Sequence, residues 1–322
     1  MPGRYAIGID LGGTNIKGGI IDARRRLLVS DSVATEADRG VEHVFKRMVA
    51  LAERLMKRRR LRRSDMVGIG VGAPGPMSHA KGLIYFAPNL PGWQNVPLRD
   101  MFHDATGVPV TLENDANSAA FGEFVAGAGR KVRSLIMLTL GTGLGGGVVL
   151  DDRLRRGEFD NAGEIGHTIV VPNGRPCPCG QRGCLERYSS ANAVGERLVE
   201  AVQAGAPSSL APRVAAGKPV TSRDVLAAMN AGDELAARIW DETCFYLGVA
   251  CVNLQHAFNV PLVVLAGGLI HAGRKLLAPI TQHFRLQSWR IAKDHPRIAF
   301  AELGTDAGLI GAAALAQEQA GG

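Results

Sequence analysis

Along its first third the chain alternates short apolar runs with glycine-rich or charged breaks. YAIGID at 5–10, a run at 17–22 and another at 27–34 are bounded in this way, and such runs read as strands. The period then changes. From about Val41 to Leu61 apolar residues recur at helical spacing, which predicts a helix of about 20 residues. MVGIGVG at 66–72 has the unbroken pattern of a buried strand and ends in GAPGP, a tight loop. VPVTLEN at 108–114 is a further strand. It runs into DANSAAFGEFVAG, a helical pattern with Asp115 near its start and glycines near its end. SLIMLTL at 134–140 and GGVVL at 146–150 then flank the loop GTGLG. From about residue 189 the pattern is mainly helical, with its longest stretch at about 232–258. PLVVLAGG at 261–268 returns to strand, and a last helix is expected at about 306–319.

Strand-rich sections alternating with helices predict an α/β fold, and the return of the opening hairpin pattern near 134 suggests two related halves. The domain break is expected in the helix after Asp115. That gives an N-terminal α/β domain over 1–118, joined by the C-terminal helix at about 306–322, and a larger C-terminal α/β domain over 119–305.

Composition narrows the class. Hydrophobic residues at 46% and charged residues at 21% are those of an ordinary globular protein, and 322 residues can bury a core without staples. Five cysteines, an odd number, argue against a secreted disulfide scaffold. The start, MPGRYAIGID, lacks a signal-peptide pattern, and no apolar run is long enough to span a membrane. A cytoplasmic protein without a membrane partner is therefore expected. The net charge of +7 sits partly in RRR at 24–26 and KRRRLRR at 57–63. A nucleic-acid patch is one reading. A solvated helix C-terminus, which favours basic residues, is the other. The second is preferred because no aromatic residues interleave with the arginines to stack on bases, so no nucleic-acid partner is expected.

The candidate chemistry lies in the breaks. In DLGGTNIKGG, Gly12 and Gly13 permit a turn whose backbone amides can approach an anion. Thr14 adds a hydroxyl, Lys17 a cation, and Asp10 at the strand end is placed to hold magnesium through water. LTLGTGLGGG repeats the arrangement at Gly141, Thr142 and Gly143, and VLAGGL does so at Gly267 and Gly268. One such turn is weak evidence. Three, each ending an apolar strand, suggest a nucleotide site. In ENDANSAA, Asn114 and Asp115 stand at a strand-to-helix junction, where Asp115 suits either a general base or a cap on a helix beginning at Ala116. Polar groups suited to sugar hydroxyls are Asn89, Asn114, Glu164, His167 and Glu186. Asn89, beside Pro88 and Pro91, also reads as a turn asparagine. CPCGQRGCLE holds Cys177, Cys179 and Cys184, ten and more residues after His167. A disulfide, a redox pair or a metal site are the options. Three thiolates and one imidazole match a closed structural zinc site, whereas a disulfide leaves one thiol over. Cys244 and Cys251, seven apart on a helical stretch, read as packing.

Taken in order, DLGGTNIKGG, LENDANSAAFGE, LTLGTGLGGG, AGEIGH, CPCGQRGCLE and LAGGL resemble the ROK family of sugar kinases and sugar-responsive repressors. The resemblance covers residues 10 to about 268. It implies an actin-like ATPase fold of ribonuclease-H-like domains around a nucleotide and sugar cleft. It also implies ATP with magnesium, a structural zinc and a homodimer. On the family's pattern Gly12, Gly13, Thr14 and Lys17 meet the phosphates, Gly141, Thr142 and Gly143 form the second phosphate turn, and Gly267 and Gly268 lie beside the adenosine. Asp115 becomes the catalytic base. Asn114, Glu164, His167 and Glu186 become sugar contacts, and Asn89 is a further candidate for one. Gly75 in GAPGP would let the sugar approach the backbone. His167, Cys177, Cys179 and Cys184 become the zinc ligands.

The activity this implies is phosphorylation of a hexose at its 6-hydroxyl, with glucose first, because GEIGH and NLPGW look like the glucose-phosphorylating branch. N-acylmannosamine or N-acetylglucosamine phosphorylation is the alternative. A repressor of the same family would need a helix-turn-helix ahead of the GGT turn, and only eleven residues precede it here.

Overall fold

The computed structural model describes residues 4–291 and 293–321. The chain opens with β1 (Tyr5–Leu11), β2 (Asn15–Ile21) and β3 (Leu27–Ala34), followed by α1 (Val41–Arg59) and β4 (Met66–Ala73). Three short strands, β5 (Met77–Ser78), β6 (Leu83–Phe86) and β7 (Gln94–Val96), lead to α2 (Leu98–Thr106), β8 (Val110–Asn114) and α3 (Asp115–Ala126). Next come β9 (Leu135–Leu140), β10 (Leu144–Leu150) and β11 (Arg153–Leu154), then α4 (Glu186–Ser189), α5 (Ala191–Gln203), α6 (Ala211–Ala215), α7 (Ser222–Asn230) and α8 (Glu234–Phe258). The chain closes with β12 (Leu262–Ala266), α9 (Arg274–Gln287), β13 (Arg297–Phe300) and α10 (Ala307–Gly321). No helix among the described residues is long and apolar enough to cross a membrane.

The chain forms two compact units: Met1–Ser134 with Gly147–Gly163 and Ala301–Gly322, and Leu135–Gly146 with Glu164–Phe300. In the first unit the sheet order is β3-β2-β1-β4-β8, with β1–β2–β3 antiparallel and β4 and β8 parallel to β1. Its strands carry glycines for a packing reason. Gly8 and Gly70 are register partners, and a Cβ on them would lie 1.7 Å from the Leu309 carbonyl oxygen and 1.8 Å from that of Ala312. Helix α10 therefore rests directly on the sheet backbone. It is buried over its first ten residues and consists there of alanine, glycine, leucine and isoleucine, the composition of a helix enclosed on all sides. The opposite face packs on α1, whose Leu51 and Leu55 reach the strand glycine Gly18.

Helix α3 packs just as closely on α10. A Cβ on Gly311 would lie 1.7 Å from the Ser118 carbonyl oxygen, and one on Gly122 would lie 2.1 Å from that of Ala307. This contact keeps α3 whole within the first unit. A boundary at 118/119 cuts through α3, whereas the observed division falls after Ser134 and also returns 147–163 to the first unit. The basic run at 57–63 ends α1, and there Arg58, with Arg54, pairs with Asp31, while Arg63 pairs with Glu53.

In the second unit β9, β12 and β13 run parallel, with Ala266 opposite Thr139. Helix α8 is capped by Asp233, whose side chain accepts from Ala236 N at 2.9 Å, and it carries Cys244 and Cys251 fully buried.

Candidate active site

In the first unit the candidate residues gather at the C-terminal ends of parallel strands, where open α/β sheets place their ligands. Asp10 ends β1 opposite Gly72 of β4, and Gly72 is opposite Glu113 of β8. The GGT turn follows Asp10. It is closed by Gly12 N donating to Asn15 O at 3.1 Å. It is braced by buried Thr35, whose hydroxyl donates to Gly12 O at 2.6 Å and whose N–H donates to Thr14 O at 2.8 Å. Lys17 pairs in register with Asp10 and reaches Thr305 O at 3.4 Å. Burial pushes the Asp10 carboxyl above its ordinary range, and the Lys17 charge pulls it back. Asn89 lies against this turn: a Cβ on Gly13 would be 3.2 Å from both Asn89 Cβ and Asn89 O. Gly75 adopts φ +91°, and what approaches it is the chain itself, since a Cβ there would lie 2.0 Å from the Phe86 carbonyl oxygen.

The junction at 114–115 differs in detail from the sequence expectation. The helix starts at Asp115, and the cap is Asn114, whose Oδ1 accepts from Ala116 N at 2.9 Å and Asn117 N at 3.2 Å. Asp115 Oδ1 also accepts from Ala116 N, at 2.8 Å. Because Asn114 serves as the cap, the Asp115 carboxylate stands in the first turn of α3, half-buried.

In the second unit the turn after β9 is only Gly141–Gly143, closed by Gly141 N donating to Gly143 O at 3.0 Å. Glu186 at the start of α4 bonds to this turn. Its Oε2 accepts from Leu144 N at 2.7 Å, and a Cβ on Gly143 would meet that oxygen at 2.5 Å. Gly267 has φ +88° and a Cβ there would lie 2.5 Å from Leu140 O, so only glycine fits beside the strand end, while Gly268 opens onto free space. Glu164 is exposed and precedes a single 3-10 turn, Ile165–His167. Gly166 lets that turn press on β10, since a Cβ would lie 1.9 Å from Leu144 O.

The cysteine loop is a tight hairpin in which Val170 N donates to Gly183 O at 2.9 Å and Cys177 N to Gln181 O at 2.9 Å. One atom from each of His167, Cys177, Cys179 and Cys184 lies within 4.8 Å of all the others. Cys179 and Cys184 Sγ are 3.7 Å apart, and His167 Nδ1 is 3.8 Å from Cys177 Sγ. A disulfide needs about 2.05 Å between sulfurs. Tetrahedral zinc with bonds of about 2.3 Å holds sulfurs about 3.8 Å apart, so the donor set fits that ion. Burial, reinforced by the neighbouring thiols, pushes Cys184 up to about 12, and burial raises Cys177. For Cys179, hydrogen bonds from Gln181 N and the other thiols outweigh burial and lower it. Three crowded thiolates need a cation among them. Nδ1 is the His167 nitrogen turned to the sulfurs, which leaves Nε2 for another partner.

A family model described as "ROK family" matches residues 6–319. The chain belongs to the ROK family. A glucokinase of Halalkalibacterium halodurans is 37% identical over 320 residues, 99% of this chain and 97% of the relative. Among solved structures, a ROK hexokinase from Thermus thermophilus superposes with a TM-score of 0.86 at 37% identity, covering 98% of each chain. A ROK glucokinase from Streptomyces griseus, in complex with glucose and AMPPNP, gives 0.77 at 34% identity, covering 98% of this chain and 99% of its own. The fold is therefore the actin-like ATPase fold of these kinases.

Two buried acids of the first unit have roles that no local sequence pattern reveals. Glu113, 3% exposed, accepts from Arg156 Nε at 2.6 Å through one oxygen. Through the other it accepts from Asn114 N at 2.9 Å and Asn117 Nδ2 at 3.0 Å. Glu123 on α3 accepts from Ala128 N, Glu302 N and Leu303 N at 2.7–3.0 Å, tying the entry to α10 onto α3. Both carboxylates were visible in the motif LENDANSAAFGE, but their partners lie 43 and about 180 residues away.

Proposed function

We propose that this chain transfers the γ-phosphoryl group of ATP to the 6-hydroxyl of glucose. The observation that carries the reading is the full-length likeness to glucokinases, one of them holding glucose and AMPPNP.

The residues supply the parts such a transfer needs. Phosphoryl transfer requires a base at the attacking hydroxyl, charge stabilisation on the phosphates and in-line geometry. Asp115 takes the proton of the 6-hydroxyl as its oxygen bonds to the γ-phosphorus, the bond from that phosphorus to the bridging oxygen breaks, and ADP leaves. Asn114, held as the cap, and Asn89, seated on the GGT turn, bond sugar hydroxyls. In the second unit Glu164, His167 Nε2 and the remaining oxygen of Glu186 do the same. Backbone groups of Gly12–Thr14 and Gly141–Gly143, with the Thr14 hydroxyl and Lys17, hold the phosphates, and Gly268 leaves room for the adenosine.

Magnesium bound with the nucleotide would spread the phosphate charge, and Asp10 is the group that would hold it through water. Zinc would be held by His167, Cys177, Cys179 and Cys184. With four protein donors it has no open position for Lewis-acid work, so its part is to fix His167 and, through the loop, Glu186. A sugar site that bonds each hydroxyl rejects a sugar lacking the match, because its own buried groups are left unpaired.

The test is product identification. Incubation with glucose and ATP should yield glucose 6-phosphate and ADP by phosphorus NMR. A phosphate on another hydroxyl, or none, overturns the assignment.

A further inference from the structure

Within the first unit lies a cavity of about 360 Å³ whose lining includes none of the residues assigned to catalysis. That is within the usual range of small-ligand sites, about 300–1,000 Å³. His79, Thr111, Arg153, Arg156, Glu318 and Gln319 line it, with two leucines.

Its charge is unbalanced toward positive. The one lining acid, Glu318, is paired with Arg25, which is outside the lining, at 3.1 Å. Burial raises the Glu318 carboxyl, and Arg25, Arg156 and Arg153 pull it back. Arg156 spends Nε on Glu113, and among the described residues no hydrogen bond engages its two terminal nitrogens. Arg153 is exposed and forms no ion pair among the described residues. Thr111 donates its hydroxyl to the side-chain oxygen of Gln319, which leaves the Gln319 amide as a donor. His79 is fixed by its main chain, donating N to Asp160 Oδ2 at 2.9 Å, and by Nδ1 facing Leu112 O at 2.8 Å. A carbonyl only accepts, so Nδ1 carries the proton. Two guanidinium groups, an amide donor and a small volume match a tetrahedral dianion, which arginine recognises through paired donors.

We propose that this cavity binds a phosphate-bearing anion, either inorganic phosphate or a hexose phosphate, held by Arg153 and Arg156. Arg156 makes the site more than a surface trap. The same side chain holds Glu113, and Glu113 holds Asn114 N and Asn117 Nδ2 at the start of α3, beside Asp115. An anion on the terminal nitrogens of Arg156 weakens its bond to Glu113 and loosens the seat of Asp115. Occupancy therefore slows phosphoryl transfer without touching either substrate.

The binding arm of the test is independent of the kinase reading. Melting temperature is measured for the full chain with inorganic phosphate, with glucose 6-phosphate and with chloride at matched ionic strength. A ligand that binds only the folded state raises it. At least one phosphate ligand should stabilise the wild type beyond chloride. Arg153→Ala should lose that extra rise, and Arg153→Glu should lose it as well. A response to inorganic phosphate identifies free phosphate as sufficient, and a response to glucose 6-phosphate alone identifies the sugar phosphate. No response to either, or an equal response in Arg153→Ala, overturns the site.

The kinetic arm rests on the kinase reading. At saturating anion the wild-type kcat should fall roughly 5-fold, the scale of a modest coupling between sites. The fall should leave the KM for ATP and for glucose unchanged and should be absent in Arg153→Ala, whose basal kcat stays at the wild-type value. Binding that leaves kcat unchanged, or inhibition competitive with ATP or glucose, overturns the link through Glu113.

Discussion

At the 114–115 junction the helix cap is Asn114, which leaves Asp115 open to the proposed role of base. Asn114 accepts the helix N–H groups, so replacing the Asp115 carboxylate should leave α3 capped. Asp115→Asn is expected to fold with an unchanged circular dichroism spectrum and to lose kcat by about 100-fold or more, the usual scale for a general base. Near-normal turnover in that variant would contradict the assignment. The cysteine cluster is a second residue-scale question. Cys179→Ala removes one of four donors whose spacing fits zinc. Zinc affinity, read by metal competition, should fall by more than the roughly 10–100-fold that even outer partners of a metal site cost. The KM for glucose should rise with it, because His167 loses its anchor. Stoichiometric zinc with a normal KM would refute the clamp.

Between α3 and α10 the fold depends on the absence of side chains. Gly311→Ala sets a Cβ 1.7 Å from the Ser118 carbonyl oxygen, and backbone on both sides cannot yield cheaply. Overpacking of this kind costs about 2–3 kcal/mol, which a denaturation midpoint reads directly; an unchanged midpoint would mean that the helices can slide apart freely. This contact also shows why the elements were easier to read than their grouping. Apolar period and glycine-ended runs located β1, β3, β4, β9, β12, α1, α8 and α10 to within a few residues, because each signal is local. The strands β5, β6 and β7 were too short and too mixed to register. The unit boundary was misplaced to 118 because it depends on Gly122 and Gly311 meeting across nearly 190 residues of sequence. Glu113–Arg156 and Glu123 with the 302–303 amides escaped for the same reason. The candidate site was legible where its chemistry is carried by consecutive residues, as in GGT, ENDA and CPCGQRGC. Gly75 was legible as a close-approach glycine, and the Phe86 carbonyl of the chain itself lies against it.

For the whole molecule, one strand plan serves twice. The two five-stranded sheets have the orders β3-β2-β1-β4-β8 and β11-β10-β9-β12-β13, and each carries its glycine turns and polar groups at the C-terminal ends of its parallel strands. The first unit carries Asp115 and the GGT turn, and the second carries the zinc-fitting loop and two further turns. Membership of the ROK family joins this plan to sugar phosphorylation, and full-length likeness to glucokinases points to glucose. The most direct test is a coupled assay of ATP consumption across glucose, mannose, fructose, N-acetylglucosamine and N-acetylmannosamine. The account predicts the highest kcat/KM for glucose. A higher value for N-acetylmannosamine, or no sugar-dependent ATP consumption, would contradict it.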